Sequence, residues 1–238
     1  MKETNMKEIK KVCLFLLSLP YEETEIPSFL IHPFITSTIY PVDIDGEKQF
    51  VNILESEENY QRVVNIYTEM INNAKGIPNL YVFLHKPYRT VFFKLANKYM
   101  SEEDYNTYLA DAWYATENPN QDTNVSLPEW KEMFEKANKE LLMEDDEYEV
   151  YKNLPENDLI TLYRGVGVNR NPDGFSWTDK YETAKWFAER WGKTAKDGIF
   201  ILKGQCYKKN ILAYFNVRDE SEYVIDPHDM INIERIEL

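Results

Sequence analysis

The feature that most constrains the fold is a change in hydrophobic period near Leu159. In the first half of the chain, apolar residues recur at the spacing of a helix face, as in Tyr60, Val63, Val64 and the residues that follow them. After Leu159 the apolar residues alternate with a period of two, which is the spacing of β-strands. The order predicts helices followed by a sheet, and therefore an α+β fold.

The second half of the chain is predicted to form a sheet with one short helix. Strands are predicted at 159–166, 198–202, 211–215, 222–225 and 230–236, and the helix at 179–191. A single short helix cannot connect several parallel strands, so the pattern favours a mixed or antiparallel sheet. The helix has an apolar side formed by Ala184, Phe187, Ala188 and Trp191, which is typical of packing on a core.

Two helix starts are marked ahead of the sheet. Ser101 with Asp104 and Ser126 with Glu129 have the spacing of N-terminal capping boxes. The second helix is predicted to bury one stripe, made of Trp130, Phe134, Ala137 and Leu141. The acidic run 144–149 is interpreted as a solvated helix end or loop. These signals divide the chain into an α-rich or mixed region at 1–98, without a recognisable role, and a domain at 99–238.

Composition argues against a disordered chain, a general nucleic-acid binder and a disulfide-rich or metal-binding protein. The 43% hydrophobic content is that of a folded globular protein, and the net charge of -14 repels nucleic-acid phosphates. Cys13 and Cys206 allow at most one disulfide, and the three histidines are scattered, which argues against a metal site or a Ser-His-Asp triad. The apolar stretch 12–19 is too short to span a membrane and is interpreted as a helix side, so a soluble cytoplasmic protein is expected.

An arginine occupies an apolar position of the first predicted strand. Alternation places Ile160, Leu162 and Arg164 on one face. A buried guanidinium needs partners, so Arg164 is expected to meet a protein carboxylate or the phosphate or ribose of a ligand. The alternative is an exposed arginine at a strand end.

Two hydroxyls precede the short helix. Ser176 and Thr178 lie at i and i+2 and so share one side of an extended segment. Asp179 with Glu182 has the spacing of a capping box, which leaves Ser176 free to hold another side chain in place.

Two carboxylates lie at i and i+2 at the entry of a later strand. Glu220 and Glu222 share a face there, and like charges on one face raise each other's pKa. A solvated acidic turn is the alternative interpretation of this pair.

Together, the strand arginine, the hydroxyl motif and the Glu-x-Glu motif, in this order, resemble the Arg-Ser-Glu class of mono-ADP-ribosyltransferases. This class contains binary-toxin and C3-like toxin enzymes, vertebrate ectoenzymes and phage proteins. The resemblance covers about residues 159–236, in the segments LYRG, FSWT and ESEYVI. It departs from the class at Trp177 and Thr178, so that of the serine motif only Ser176 is carried over firmly.

The resemblance implies an ADP-ribosyltransferase-like sheet core preceded by helices, with NAD as co-substrate. The implied catalytic residues are Glu222, Glu220 and Ser176. The residues implied to bind NAD are Arg164, Phe187, Thr178 and Tyr163, and those implied to contact the target are Tyr214, Phe215 and Asn216.

Three functions are weighed for such a chain. The leading hypothesis is ADP-ribosyl transfer to an arginine of a protein target, by a toxin or phage effector, and a target with a basic surface would complement the net charge. The second is transfer to a nucleic-acid base, which the acidic composition disfavours. The third is a catalytically silent protein with the same fold that inhibits a partner by binding.

Overall fold

The computed structural model describes residues 2–116, 118–168, 170–190 and 198–238. They form two compact units, Met1–Thr116 and Glu117–Leu238. The helix that Ser101 begins packs on the helix before it and so belongs to the first unit, while the division into regions 1–98 and 99–238 stays a prediction. Trp191, predicted on the apolar side of the short helix, lies outside the described residues.

The first unit combines helices with two small antiparallel hairpins. Its helices are α1 Met6–Leu17, α2 Glu57–Asn73, α3 Ile77–Tyr81, α4 Arg89–Ala96 and α5 Glu102–Ala115. Its strands are β1 Glu22–Glu23, β2 Leu30–Ile31, β3 Ile39–Ile44 and β4 Glu47–Asn52, paired β1 with β2 and β3 with β4.

A buried histidine ties the end of α1 to the chain after β2. The Nδ1 atom of His32 accepts hydrogen bonds from the N–H groups of Phe34 and Ile35, so the ring proton lies on Nε2, which donates to the carbonyls of Leu17 and Leu19. Burial lowers the pKa of His32, in keeping with a neutral ring that binds two backbone N–H groups and two backbone carbonyls.

The second unit places helices α6 Leu127–Lys136, α7 Lys139–Leu142, α8 Asp145–Asn153 and α9 Tyr181–Glu189 around one sheet. The strands are β5 Ile160–Val166, β6 Ser176–Thr178, β7 Phe200–Cys206, β8 Ile211–Phe215, β9 Glu222–Ile225 and β10 Ile231–Glu237. The sheet order is β10, β7, β5, β6, β9, β8, and each neighbouring pair is antiparallel. The predicted α+β class is confirmed.

The helices ahead of the sheet differ from the prediction in two respects. Ser126 and Glu129 form the expected capping box, but the helix ends at Lys136, so Leu141 is exposed on α7 and Leu142 is buried instead. The acidic run 144–149 is not merely a solvated end, because Glu144 caps α8 and Glu147 is 4% exposed.

The caps of the predicted helices also differ in part. Ser101 caps α5 by accepting from the N–H of Asp104, but the Asp104 carboxylate accepts from the hydroxyl of Thr4, and so the reciprocal bond of a capping box is absent among the described residues.

Helix α9 packs directly on β5 through a glycine. A Cβ atom added at Gly165 would lie 1.9 Å from the Ala184 carbonyl oxygen and 2.7 Å from the Ala188 nitrogen. Ala184 and Ala188 are fully buried, as the predicted apolar side requires. The missing side chain at Gly165 lets the helix backbone approach the strand, and this contact fixes which face of the sheet α9 covers.

We expect Gly165→Ala to destabilise the second unit by about 2 kcal/mol or more, because the methyl group would overlap helix backbone that cannot move alone. The measurement is the free energy of unfolding from urea titration followed by tryptophan fluorescence. Gly76→Ala is the control, since its Cβ would meet only Pro78 Cδ at 3.4 Å, and it should cost less than about 1 kcal/mol. Equal losses in the two variants would contradict the close packing of α9 on β5.

Candidate functional site

The centre of the site is a row of four side chains across four adjacent strands. Tyr163 of β5 pairs with Thr178 of β6, Thr178 pairs with Glu222 of β9, and Glu222 pairs with Phe215 of β8. Directly paired residues of antiparallel strands point to the same face. The row therefore brings together two predicted motifs that lie more than forty residues apart in the sequence.

The two hydroxyls of the Ser-x-Thr motif have different tasks. The Thr178 hydroxyl donates to the Glu220 carbonyl at 2.9 Å and accepts from the N–H of Lys180 at 3.2 Å. Ser176 pairs with Val224, so it lies on the same face two residues along β6, diagonal to Glu222. Among the described residues the Ser176 hydroxyl makes no hydrogen bond. It remains available to a ligand or to a nearby carboxylate.

Arg164 is buried, as its place in the strand pattern predicts, but its partners are different. Its Nε donates to the Pro172 carbonyl at 3.1 Å, one terminal nitrogen to Ser176 at 2.9 Å and the other to Asn171 at 2.9 Å. Main-chain carbonyls thus give each of the three nitrogens one partner, and the predicted contact of Arg164 with a ligand stays a prediction. Burial lowers the pKa of Arg164 to about 10, which leaves the group charged at neutral pH.

Arg164 and Tyr163 lie on opposite faces of β5. Tyr163 shares its face with Gly165, which faces α9, and its ring meets that of Tyr181 at 5.6 Å between centroids. Phe187 is half-buried on α9, and its ring contacts Trp186 at 4.9 Å. Tyr163 therefore lies on the α9 side of the sheet, whereas Arg164 contacts β6 and the chain before it from the other face.

Glu220 lies in a constrained, half-buried position before β9. The Thr178 hydroxyl donates a hydrogen bond to the Glu220 backbone carbonyl. Burial raises the pKa of the Glu220 carboxyl, while the positive charges of Arg218 and Arg190 oppose that shift. A carboxylate with a raised pKa is a better proton acceptor near neutral pH than an exposed one.

The start of α9 differs from the predicted capping box. The helix is preceded by Lys180, whose side chain makes no capping bond, and the Asp179 carboxylate accepts instead from the Tyr223 hydroxyl at 3.3 Å. Lys180 Nζ donates to the carbonyl of Asp219 at 2.9 Å and pairs with its carboxylate at 2.7 Å. Long-range contacts with β9 and the chain before it thus replace the local cap.

The residues predicted to contact a target are mostly buried. Tyr214 is 6% exposed and Phe215 is 1% exposed, because both belong to β8 and pack inside the second unit. Asn216 is half-buried and begins loop 216–221, which joins β8 to β9. The exposed part of this segment is Val217, Arg218 and Asp219, which the sequence analysis did not single out.

Glu147 of α8 contacts the loop before β9, and the sequence analysis did not single it out. Its Oε1 atom accepts a hydrogen bond from the N–H of Asn216 at 2.6 Å. Within an acidic run, nothing local distinguishes this glutamate from its solvated neighbours. Glu147 differs from these neighbours only in lying on the buried side of α8.

Comparison with protein-family models, with curated proteins and with solved structures gives no match. No helix in the described ranges is long and apolar enough to cross a membrane. The same residues contain no group of three or more His, Cys, Asp or Glu side chains that could hold a metal ion.

We expect Arg164→Lys to destabilise the second unit by about 2–4 kcal/mol, since one ammonium cannot reach three carbonyls that a planar guanidinium satisfies together. Urea unfolding measures the change. Arg62→Lys is the control, because Arg62 is half-buried on α2, pairs only with the exposed Glu58 in the ion pair described, and should change stability by less than about 0.5 kcal/mol. If Arg164→Lys is as stable as the original chain, the carbonyl contacts do not support β6.

Proposed function

We propose that the second unit is an NAD-cleaving mono-ADP-ribosyltransferase. The observation that carries the proposal is the Thr178–Glu222 pair, with Ser176 on the same face and the Glu220 carbonyl bound to the Thr178 hydroxyl. The hydroxyl and Glu-x-Glu motifs, on which the family resemblance rests, thereby meet at one site. The resemblance rests on the order of the motifs in the sequence, whereas their adjacency follows from the pairing of β6 with β9. The adjacency is therefore independent support for the resemblance.

The chemistry requires a fixed carboxylate beside a sugar. When the bond between nicotinamide nitrogen and ribose C1′ breaks, the nitrogen keeps the electron pair and positive charge develops on the ribose. Glu222 would stabilise that charge and accept a hydrogen bond from the ribose 2′-hydroxyl. Ser176, diagonal to Glu222, would hold the carboxylate or the ribose in orientation. The acceptor then attacks C1′.

Glu220 would take the proton from the attacking group. Its raised pKa suits a general base, and its backbone is fixed by Thr178. The contacts of Arg164 suggest that it stabilises β6, and its predicted contact with NAD stays a prediction. Tyr163 and Phe187 would approach the dinucleotide from the α9 side.

An arginine side chain of a protein remains the acceptor that the resemblance implies. The charges around Glu220 favour a second candidate, a nucleic-acid base. Arg190 and Arg218 act electrostatically on Glu220, and the Arg190 guanidinium lies 5.5 Å from the ring centroid of Trp186, which is 55% exposed. The two arginines would attract phosphates, and the exposed ring of Trp186 would stack on a base. The same positive charges would repel a cationic acceptor such as an arginine side chain.

We expect Glu222→Ala to reduce nicotinamide release from NAD about 100-fold or more, because the charge on the ribose loses its stabilising carboxylate. The assay follows labelled NAD in the presence of cell lysate. Glu149→Ala is the control, since Glu149 is an exposed glutamate of α8 paired with Lys152, and it should retain full turnover. Normal turnover by Glu222→Ala would rule out this site.

We expect Glu220→Gln to lose most transfer, by about 100-fold, while NAD hydrolysis persists, because an amide cannot accept the acceptor's proton but water still reaches C1′. Labelled lysate is separated into protein and nucleic acid after protease or nuclease treatment. Label that protease releases identifies a protein acceptor, and label that nuclease releases identifies the second candidate. Loss of hydrolysis together with transfer would contradict the division of roles between Glu220 and Glu222.

A further inference from the structure

Loop 216–221 has a backbone conformation that its sequence does not favour. Arg218, Asp219 and Ser221 have φ values of 64°, 59° and 51°, in the left-handed region that side chains other than glycine seldom adopt. Each such residue persists only where surrounding contacts over-determine it. Since Glu220 lies inside this loop and Glu222 directly follows it, those contacts fix where both carboxylates stand.

Contacts from the sheet side hold the end of the loop that leads into β9. Thr178 binds the Glu220 carbonyl, and Lys180 binds Asp219. The hydroxyls of Tyr214 and Ser221 share a hydrogen bond at 3.2 Å. These groups act on residues 219–221 and leave the start of the loop to other partners.

The start of the loop is held from α8. Glu147 accepts from the N–H of Asn216 through Oε1 at 2.6 Å and from the N–H of Glu144 through Oε2 at 3.0 Å. The Asn216 side-chain oxygen in turn accepts from the N–H of Ser221 at 3.1 Å and so closes the loop on itself. A carboxylate that is 4% exposed is costly to desolvate, and these two N–H donors offset part of that cost, since burial still raises the pKa of Glu147.

We propose that Glu147 is a positioning residue for the two site carboxylates. Through Asn216 and its bond to Ser221, Glu147 fixes loop 216–221 and with it Glu220 and the entry of β9. Glu147 itself touches neither of these carboxylates in the contacts described. The catalytic consequence rests on the proposed function, whereas the structural link between α8 and the loop does not.

Glu147→Gln tests the link without removing the side chain. The amide has one acceptor where the carboxylate has two, so either Asn216 or Glu144 faces a donor and loses its bond. We expect the Asn216 and Ser221 amides to exchange with deuterium about 10-fold faster or more, measured by NMR on the ¹⁵N-labelled full chain. Glu149→Gln, on the exposed side of α8, should leave both amides unchanged.

The second arm measures NAD turnover by the same variants. We expect Glu147→Gln to lower kcat about 10-fold with KM for NAD within about twofold, because displaced carboxylates impair the reaction more than the binding. Asn216→Ala should reproduce the defect, and Asn216→Asp should restore it in part, because aspartate keeps an oxygen acceptor for the Ser221 amide.

Amide exchange tests the link between α8 and loop 216–221, and NAD turnover tests the positioning role of Glu147. Glu147→Ala removes both acceptor oxygens, so unchanged exchange at Asn216 and Ser221 in both Glu147→Ala and Glu147→Gln overturns the link, whatever the turnover. Faster exchange with unchanged kcat overturns the positioning role. Faster exchange in a chain whose original form releases no nicotinamide supports the link and overturns the proposed function instead. Should Glu147→Gln fail to fold, Asn216→Ala carries the Ser221 exchange and kcat readouts, since it removes the next bond in the chain of contacts, from the Ser221 N–H to the Asn216 side chain.

Discussion

The buried guanidinium of Arg164 is the interaction on which the candidate site depends. Strand β6 has three residues and pairs with β5 through the single pair Tyr163 and Thr178. All three residues of β6 pair with β9, but on the β5 edge this single pair does little to hold the register. Arg164 adds a bond from β5 to the Ser176 carbonyl and two more to the chain that leads into β6. With β6 fixed, its other edge can present Thr178 to Glu222.

The proposed cleavage of NAD takes place on the face of the sheet opposite Arg164. Tyr163, Thr178 and Glu222 form its row, Ser176 lies beside them, and α9 covers one end because Gly165 admits it. The two carboxylates differ in their setting, since Glu222 begins a regular strand while Glu220 lies in a strained loop. Groups held in unfavourable backbone conformations commonly mark functional sites. This difference in setting is the physical basis for assigning them different roles.

Much of the local structure could be predicted from the sequence, because local structure follows from periodicity. Strands β8 and β9 have the predicted bounds, and Ser101 and Ser126 begin helices as their capping positions indicate. Alternation places Arg164 on the apolar face of its strand, and of the two interpretations left open there, the structure shows the buried one. Its partners could not be recognised, since backbone carbonyls carry no sequence signal.

The errors share one cause, which is competition from contacts distant in sequence. Asp179 has the spacing of a helix cap, but Tyr223 from β9 binds it. In the sequence Glu147 cannot be distinguished from its solvated acidic neighbours, and only the folded chain brings the Asn216 N–H to its carboxylate. Phe215 belongs to the segment that the resemblance assigns to target contact, but it is buried in β8. In each case a residue type fits two environments, and only the tertiary fold decides between them.

The most direct test of the account is an NMR titration of the ¹⁵N-labelled chain with a non-hydrolysable NAD analogue. If the face of Tyr163, Thr178 and Glu222 binds the nicotinamide end of NAD, the amide signals of these residues and of Ser176 will shift and saturate together. Absence of any saturable shift, or shifts confined to residues 2–116, would contradict the proposed site.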